Sequence, residues 1–350
     1  MNSYKIAHYP GDGIGVDVTA AGLSVLEAVG EKIGGFETEV THIDWGVDYY
    51  KRHGTVAPEG FIETLKGFDA IFLGAIGFPE VLPDHITLEP LIQTRQAFDQ
   101  YACVRPARTF PGVPCPLVGV EGIDMVVVRE NSEGEYVNNG GRFHPGTPEE
   151  FAVQSALHTR RGIERVLRFG FEMAGTRRGK LTMITKSNAQ RYGFVLWDEI
   201  LEEVRADYPD IQTDKQHIDA AAMNFVRRPT DFDVVVASNL FGDILTDLSG
   251  AITGSLGLNP SANLNPDRRF PSLFEPVHGS APDIAGKGIA NPVAAILSVA
   301  MMLEWLGEHA AAPPIREAVE RALADGCRTP DVGGRLTTEE MTAAVIERLG

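Results

Sequence analysis

The chain has 350 residues, 43% of them apolar, which is enough to build a large core in one domain or two lobes. Its 31 basic and 48 acidic residues give a formal net charge of −17, which argues against general binding to nucleic acids or anionic membranes. The three cysteines, Cys103, Cys115 and Cys327, include no CxxC pair, so neither a disulfide framework nor a structural zinc site is predicted.

The N-terminus lacks the basic-then-apolar pattern of a secretory signal. The longest apolar stretch, 294–306, is shorter than the about 20 residues that a membrane-spanning helix needs. We therefore expect a protein of the reducing cytoplasm that binds neither membrane nor nucleic acid.

Apolar, β-branched runs alternate with helical patterns along the chain. The predicted strands are 5–9, 70–73, 125–128, 181–185 and 234–237, and the predicted helices are 15–29, 162–173, 195–206, 292–306, 315–324 and 338–349. This alternation predicts an α/β architecture with a largely parallel sheet. The segment 138–147, rich in Gly, Asn and Pro, is typical of an exposed loop or arm.

Three glycines, Gly11, Gly13 and Gly15, lie between the first predicted strand and helix. A dinucleotide fingerprint would need a further glycine at position 16, which Val16 occupies. The pattern alone leaves a nucleotide-binding turn and a simple tight turn equally open.

Two acidic residues, Asp243 and Asp247, follow a predicted strand and share one face of a predicted helix. Carboxylates at this spacing suit Mg²⁺ or Mn²⁺, which prefer oxygen ligands. A solvated acidic turn at the start of a helix is the alternative. Asp219, after another β-like run, is a candidate third ligand.

Arg95, Arg105 and Arg129 stand near predicted element boundaries in an otherwise acidic chain, and together they suggest a site for carboxylates. Tyr136 and Lys186 are candidate proton carriers, because a lysine near other cations has a lowered pKa and can act as a base. For each of the five taken alone, a solvated surface side chain is the favoured interpretation.

Several motifs together resemble the β-decarboxylating dehydrogenases, the family of the isopropylmalate, isocitrate, homoisocitrate and tartrate/D-malate dehydrogenases. They are PGDGIG at 10–15, VRENSEGEY at 128–136, KSN at 186–188, SNLFGDILTD at 238–247 and EPVHGSAPDIAGKGIANP at 275–292, with Arg95, Arg105 and Asp219 at the family's spacing. The resemblance spans nearly the whole chain.

The resemblance implies an isopropylmalate-dehydrogenase-like, two-lobed α/β fold with a mixed, largely parallel central sheet, and not a classical Rossmann fold. Residues 1–100 and 257–350 would form a large, cofactor-binding lobe. Residues 101–256 would form a small lobe that carries the dimer interface and an arm at about 137–155.

The resemblance also implies roles for individual side chains. Arg95, Arg105 and Arg129 would bind the substrate carboxylates. Asp243 and Asp247 would hold Mg²⁺ or Mn²⁺ together with the partner's Asp219, which also counts among the catalytic residues. The partner's Lys186 would take the hydroxyl proton, and Tyr136 would protonate the enolate. Such shared sites imply a homodimer, and whether dimers pair into tetramers stays open, as does a need for K⁺.

The cofactor implied by the resemblance is NAD. Asp283 stands where NAD-dependent members carry an acid that binds the ribose 2′-hydroxyl and would repel a 2′-phosphate. The cofactor-binding residues carried over by the resemblance are Ile14, Glu275, His278, Gly279, Ser280, Ala281, Asp283, Ile284 and Asn291.

The substrate implied is a small 2-hydroxy dicarboxylic acid of the D-malate or tartrate type. Leu88, Leu91 and Ile92 depart from that branch in the helix before Arg95, and they disfavour a third carboxylate. An alkyl group would suit them, so 3-isopropylmalate remains the alternative substrate. A non-catalytic regulatory homologue is the alternative of another class, and it would be expected to lack one of the reactive residues.

Overall fold

The computed structural model describes residues 2–120 and 122–350. The strands are β1 Asn2–Gly11, β2 Phe36–His42, β3 Ala70–Ala75, β4 Ala102–Arg108, β5 Asp124–Glu130, β6 Gly140–Phe143, β7 Phe151–Gln154, β8 Lys180–Thr185, β9 Gln212–His217, β10 Val234–Ala237, β11 Pro260–Leu264 and β12 Ser272–Pro276. The α-helices are α1 Gly15–Ile33, α2 Val47–His53, α3 Phe61–Leu65, α4 Asp84–Thr87, α5 Glu89–Ala97, α6 Arg160–Gly175, α7 Gly193–Arg205, α8 Ile218–Arg227, α9 Asn239–Thr253, α10 Val293–Leu306, α11 Ala312–Ala324 and α12 Thr338–Glu347.

Ten of these strands form one continuous sheet in the order β2-β1-β3-β12-β11-β4-β5-β10-β8-β9. Neighbours run parallel at both ends of the sheet. In the middle, β12, β11, β4 and β5 pair antiparallel. The α/β class and the mixed, largely parallel sheet predicted from the sequence are confirmed.

Both faces of the sheet are covered by apolar side chains. Ile6, Phe72 and Phe274 belong to the larger core cluster, whereas Ala7 and Ile71, which alternate with them, belong to a smaller one. Since side chains alternate across a strand, a sheet covered on both faces requires nearly continuous apolar strands. This is why the sequence shows apolar runs where a half-exposed sheet would show alternation.

The sheet is assembled from two parts of the chain. Its first five strands come from residues 2–75 and 260–276, and its other five come from residues 102–237. Strands β11 and β4 meet at the boundary and pair only between 262–264 and 102–104. Arg105 lies inside β4, which continues to Arg108, and not at an element boundary. Pro106 follows it where pairing with β11 has ended, and a proline is tolerated where one side of a strand is unpaired.

The segment expected to be an exposed loop or arm contributes to a β-hairpin. Strands β6 and β7 form a separate two-stranded sheet. Phe143, Phe151 and Val153 are exposed on it, and the two phenylalanine rings stack at 4.8 Å between centroids. Nowhere in residues 2–120 and 122–350 does a helix combine the length and the apolar character needed to cross a membrane.

Candidate active site

Two buried arginines lie side by side on one face of the sheet. Arg129 pairs with Cys103 across the β4–β5 ladder, and Arg105 is two residues further along β4, so both side chains point to the same face. Arg129 is 1% exposed and Arg105 6% exposed. Helix α9 packs over this face, where a Cβ on Gly242 would lie 2.7 Å from the Cβ of Arg129. The glycine thus allows α9 to approach β5 closely enough for its carboxylates to reach the arginines.

Asp243 is the centre of a network on this face. One carboxylate oxygen accepts hydrogen bonds from Arg129 and, at 3.2 Å, from Arg105 Nη1, and the other accepts one from the Tyr136 hydroxyl at 2.8 Å. Arg129 Nε and Nη2 also donate to Asn239 Oδ1 at 2.9 and 2.6 Å. Burial disfavours the charged carboxylate, but the two arginines outweigh it and hold the pKa of Asp243 below its usual value.

The Tyr136 hydroxyl donates a hydrogen bond to Asp243 and keeps its proton. Burial, and then the negative charge of Asp243, raise the pKa of its hydroxyl above the ordinary value. The guanidinium of Arg129 lies 5.1 Å from the centre of its ring. The hydroxyl is therefore protonated at neutral pH and points at the carboxylate.

Asp247 lies one helical turn beyond Asp243 on α9 and is exposed. Among the described residues, no side chain forms a hydrogen bond or ion pair with it. Burial, and then the charge of Asp243, raise its pKa. Two carboxylates at this spacing, one of them without a partner, fit a divalent cation, which would supply the missing positive charge.

Arg95 sits in the last turn of α5 and forms a buried ion pair with Glu275, at 2.8 Å between Nη2 and Oε1. Asn263 Nδ2 donates to the same Glu275 oxygen at 2.8 Å, and Asn131 Nδ2 donates to Asn263 Oδ1 at 2.9 Å. Glu275 was predicted to bind the cofactor and Arg95 the substrate. The structure thus brings a residue of each group into one contact.

Lys186 and Asp219 form a pair of their own. Lys186 directly follows β8, and Asp219 lies one residue beyond the residue that follows β9. The two strands are parallel neighbours, so their carboxyl ends lie at the same edge of the sheet. Lys186 Nζ lies 2.8 Å from Asp219 Oδ1, and this hydrogen bond is the main cause that lowers the pKa of Asp219. In the part of the chain that the structure describes, no hydrogen bond or ion pair joins this pair to Asp243 or Asp247.

The three candidate metal ligands are therefore not gathered within one chain. The described residues contain no group of three or more His, Cys, Asp or Glu side chains placed to hold a metal ion. That Asp219 comes from a partner subunit, as the family resemblance implies, stays a prediction.

The glycine turn after β1 packs against the segment after β12. Ile14 N donates to Ser280 O at 2.8 Å, and Gly13, at φ +57°, lies so close that a Cβ would sit 2.0 Å from the same oxygen. Asp12 fixes the turn by accepting hydrogen bonds from Val47 N and Gly77 N at 2.7 and 2.9 Å. The turn is thus a structural contact that places Ile14 beside Ser280.

The 278–291 segment offers unsatisfied polar groups. The buried Nε2 of His278 has no hydrogen-bond partner among the described residues, and burial lowers the pKa of its imidazole. Asp283 is exposed and forms no hydrogen bond or ion pair within that same part of the chain. Asn291 Nδ2, by contrast, donates to Asp331 at 3.0 Å. A neutral imidazole and an exposed carboxylate fit the hydroxyl groups of a nucleotide ribose.

The apolar residues before Arg95 do not share one environment. Leu91 is buried in the smaller core cluster, against which Leu88 packs while partly exposed. Ile92 is also partly exposed. Leu88 and Ile92 therefore remain available to a ligand, whereas Leu91 contributes to the core.

Some residues that shape the site were not singled out from the sequence. Asn239 and Thr246 bind Arg129 and Arg105, and Asn263 bridges Glu275 and Asn131. Asn239 and Thr246 lie four residues before and three residues after Asp243 in the same motif. Helical spacing could therefore have placed them on the face of α9 that carries Asp243. Asn263 stands in β11, and nothing in its local pattern indicates its role.

Known proteins similar to this chain identify its family. The chain matches the isocitrate/isopropylmalate dehydrogenase family over residues 5–345. It is 52% identical to a probable tartrate dehydrogenase/decarboxylase of Agrobacterium vitis, covering 100% of this chain and 98% of the relative. It is 50% identical to D-malate dehydrogenase [decarboxylating] of Escherichia coli (strain K12), covering 99% and 98%.

The fold comparison agrees. The crystal structure of isocitrate dehydrogenase from Methylococcus capsulatus superposes with a TM-score of 0.89 at 38% identity, covering 99% of both chains. The chain is a decarboxylating dehydrogenase by its relatives and its fold, and it belongs to the isocitrate/isopropylmalate dehydrogenase family.

Proposed function

We propose that this chain uses NAD and a divalent cation to oxidise and decarboxylate D-malate or a tartrate. The observation that carries the proposal is the Asp243 centre, where Arg105, Arg129 and Tyr136 converge beside the unpartnered Asp247. Buried arginines recognise carboxylates, and paired carboxylates recognise Mg²⁺ or Mn²⁺. A 2-hydroxy dicarboxylic acid offers carboxylates to the arginines and oxygen ligands to the cation.

In the oxidation step, Arg95, Arg105 and Arg129 bind the substrate carboxylates and fix the C2–H bond relative to the nicotinamide. The partner's Lys186 would accept the proton of the 2-hydroxyl group, and NAD, held by residues of the 278–291 segment, would supply the acceptor for the hydride from C2. When bound, the divalent cation stabilises negative charge on the C2 oxygen. For D-malate the product of this step is oxaloacetate.

In the decarboxylation step, the carboxylate β to the new ketone leaves as CO₂, and its bonding electrons form an enolate. Tyr136 then donates its proton to carbon, and the enolate becomes pyruvate. The raised pKa of Tyr136 suits it to this donation, because the hydroxyl keeps its proton until a basic carbon is formed.

The site is proposed to be completed in a homodimer. Lys186 and Asp219 stand apart from Asp243 within the chain, and exposed apolar side chains lie nearby on α8 and α9, namely Met223, Val226 and Ile244. The exposed hairpin β6–β7 offers a second apolar surface. A two-fold pairing would bury these surfaces and bring the partner's Lys186 and Asp219 to Asp247.

The two parts of the sheet are proposed to be two lobes that close over the substrate. Residues 1–100 and 257–350 form the cofactor-binding lobe, and residues 101–256 form the lobe with the dimer interface. NAD would lie along 278–291, with Asp283 at the ribose 2′-hydroxyl. Closure would exclude water during hydride transfer.

The test is formation of NADH with Mn²⁺ against D-malate, the tartrates, 3-isopropylmalate and isocitrate, with and without K⁺. We expect the highest kcat/KM with D-malate or a tartrate. The highest value with 3-isopropylmalate would show that Leu88 and Ile92 set the specificity. Absence of NADH formation with every acid would support a non-catalytic homologue.

A further inference from the structure

Behind the Lys186–Asp219 pair lies a carboxylate to which no role has been assigned. Asp198 is on α7, and its side chain is 16% exposed. It accepts three hydrogen bonds: from Thr185 Oγ1 at 2.7 Å, from Ser187 Oγ at 2.9 Å and from Lys215 Nζ at 2.7 Å. Thr185 and Ser187 are the residues directly before and after Lys186.

These contacts fix the backbone on both sides of Lys186. The Thr185 hydroxyl also accepts from Ser187 N at 3.3 Å, which closes the turn over Lys186. The Lys186 carbonyl accepts from Ala189 N and Gln190 N at 3.0 and 2.9 Å. The direction of the Lys186 backbone is therefore set by the turn that Asp198 holds.

The Lys186 side chain has little else to orient it. Its only hydrogen bond within the described chain goes to Asp219, whose side chain is 68% exposed. A lysine stem is flexible, and an exposed ion pair does little to hold it. Without a fixed turn, the ammonium group would sample many positions.

The third contact extends to the other member of the pair. Lys215 lies on β9, four residues before Asp219, and its contact with Asp198 ties β9 to α7. A single carboxylate thus links the turn that carries Lys186 and the strand that leads to Asp219. Its contacts with Lys215 and the two hydroxyls outweigh burial and lower its pKa, so it is charged at neutral pH.

We infer that Asp198 is a positioning residue that holds Lys186 and Asp219 in the geometry in which they enter the partner's active site. The inference rests on the proposed function in one respect, that Lys186 takes the hydroxyl proton. Asp198 acts through its contacts with Thr185, Ser187 and Lys215 and is given no contact with substrate or cofactor. Its loss should slow the step that needs Lys186 and spare the step that does not.

The kinetic test separates the two steps at saturating Mn²⁺. We expect Asp198→Ala to lower kcat for oxidation of the preferred hydroxy acid about 10- to 100-fold, as supporting residues do when a reactive group is misplaced. The KM for that acid should change little, because the three arginines are elsewhere. Decarboxylation of added oxaloacetate, which needs no hydroxyl proton acceptor, should keep its wild-type rate.

Two further variants distinguish positioning from general damage. Asp198→Asn keeps an acceptor for Thr185 and a polar partner for Ser187, so it should recover most of the lost turnover. The matched control is Asp207→Asn, because Asp207 lies just beyond the same helix and forms one exposed ion pair with Arg168. Asp207→Asn should leave both reactions unchanged. Equal loss of oxidation and decarboxylation in Asp198→Ala would overturn the inference, as would wild-type oxidation.

A crystal structure of Asp198→Ala gives a readout that does not depend on the substrate. We expect residues 185–190 to be displaced and the 2.8 Å contact between Lys186 and Asp219 to be lost. If the turn is unchanged, the inference about Asp198 is wrong, whether or not the proposed function holds. If the turn moves but wild-type enzyme oxidises no hydroxy acid, the proposed function fails and the positioning role stands.

Discussion

The Asp243 centre and the Lys186–Asp219 pair differ in burial and in completeness. At the centre, Arg129 is 1% exposed and every charged group except Asp247 has partners from several elements. In the pair, the Asp219 side chain is 68% exposed and is bound by one lysine. The charged groups proposed to recognise the substrate are thus held by contacts within their own chain, whereas Asp219 is exposed at the surface.

This difference suggests a division of labour between subunits. In the proposed function, the arginines buried at the centre would bind and orient the substrate within their own chain. Lys186, at 25% exposure, and Asp219, at 68%, would gain their geometry from the turn behind them and their surroundings from a partner. Three predictions, in order of decreasing expected effect, test that comparison, and a fourth concerns a site outside both regions.

Loss of the reactive residues should abolish turnover without loss of the fold. Lys186→Ala should lower kcat for oxidation by about 10²- to 10⁴-fold, the range expected for removal of a general base. Asp247→Asn should also lower it by orders of magnitude by weakening Mn²⁺ binding. Steady-state kinetics and thermal unfolding check both, and a melting temperature that falls far below wild type in both variants would contradict these assignments.

The residues proposed to bind the cofactor differ in burial, since Glu275 is buried and bonded to Arg95 whereas Asp283 is exposed. Asp283→Ala should raise KM for NAD about 10- to 100-fold, the loss expected when a hydrogen bond to a charged group is removed. Discrimination against NADP should fall at the same time. Unchanged kinetics with NAD would show that Asp283 does not contact the ribose; Asp331 is not a suitable control because it binds Asn291.

Stability should separate the two regions most plainly. Arg129→Met leaves Asn239 and Asp243 without their main donor and should cost about 3 kcal/mol in free energy of unfolding. Lys186→Met removes an exposed pair and should cost less than about 1 kcal/mol. Denaturant unfolding of both variants at one pH measures the two losses in free energy of unfolding. Equal losses would contradict the expected difference between the regions.

A pH effect on stability should come from a site remote from both regions. Burial, and then the neighbouring His42, lower the pKa of His8 from 6.5 to about 4. The unfolded chain takes up a proton near pH 6.5 that the folded chain refuses, so His8 costs stability as pH falls from 6.5 towards 4. Relative to His8→Gln, the wild type should lose stability over that interval and hold a constant difference above it. A constant difference throughout would contradict the lowered pKa.

The sequence predicted much of the fold because its strongest signals are local. Helix α10 was expected at 292–306 and spans Val293–Leu306, and β10 was expected and found at 234–237. The antiparallel strands β11 and β12 were not predicted, because Pro260–Leu264 and Ser272–Pro276 are short and lack a clear apolar period. Their pairing depends on β3 and β4, which are far away in the sequence.

The site was predictable residue by residue but not as an arrangement. Motif spacing indicated Asp243, Asp247 and the arginines, yet it could not show that Asp243 binds both Arg105 and Arg129. It also gave no signal for Asp198, whose partners lie on two strands and a turn. Such contacts are set by the packing of distant segments, which a local pattern does not encode.

The most direct test of the central claim, that each active site is shared between two subunits, is a mixed dimer of Lys186→Ala and Asp247→Asn chains. If sites are shared, one site of the mixed dimer carries both changes and the other carries neither. Each parent homodimer should then be inactive, and the purified mixed dimer should recover about half of the wild-type turnover. If the mixed dimer is as inactive as its parents, each active site is built within one chain, and the proposal of shared active sites is wrong.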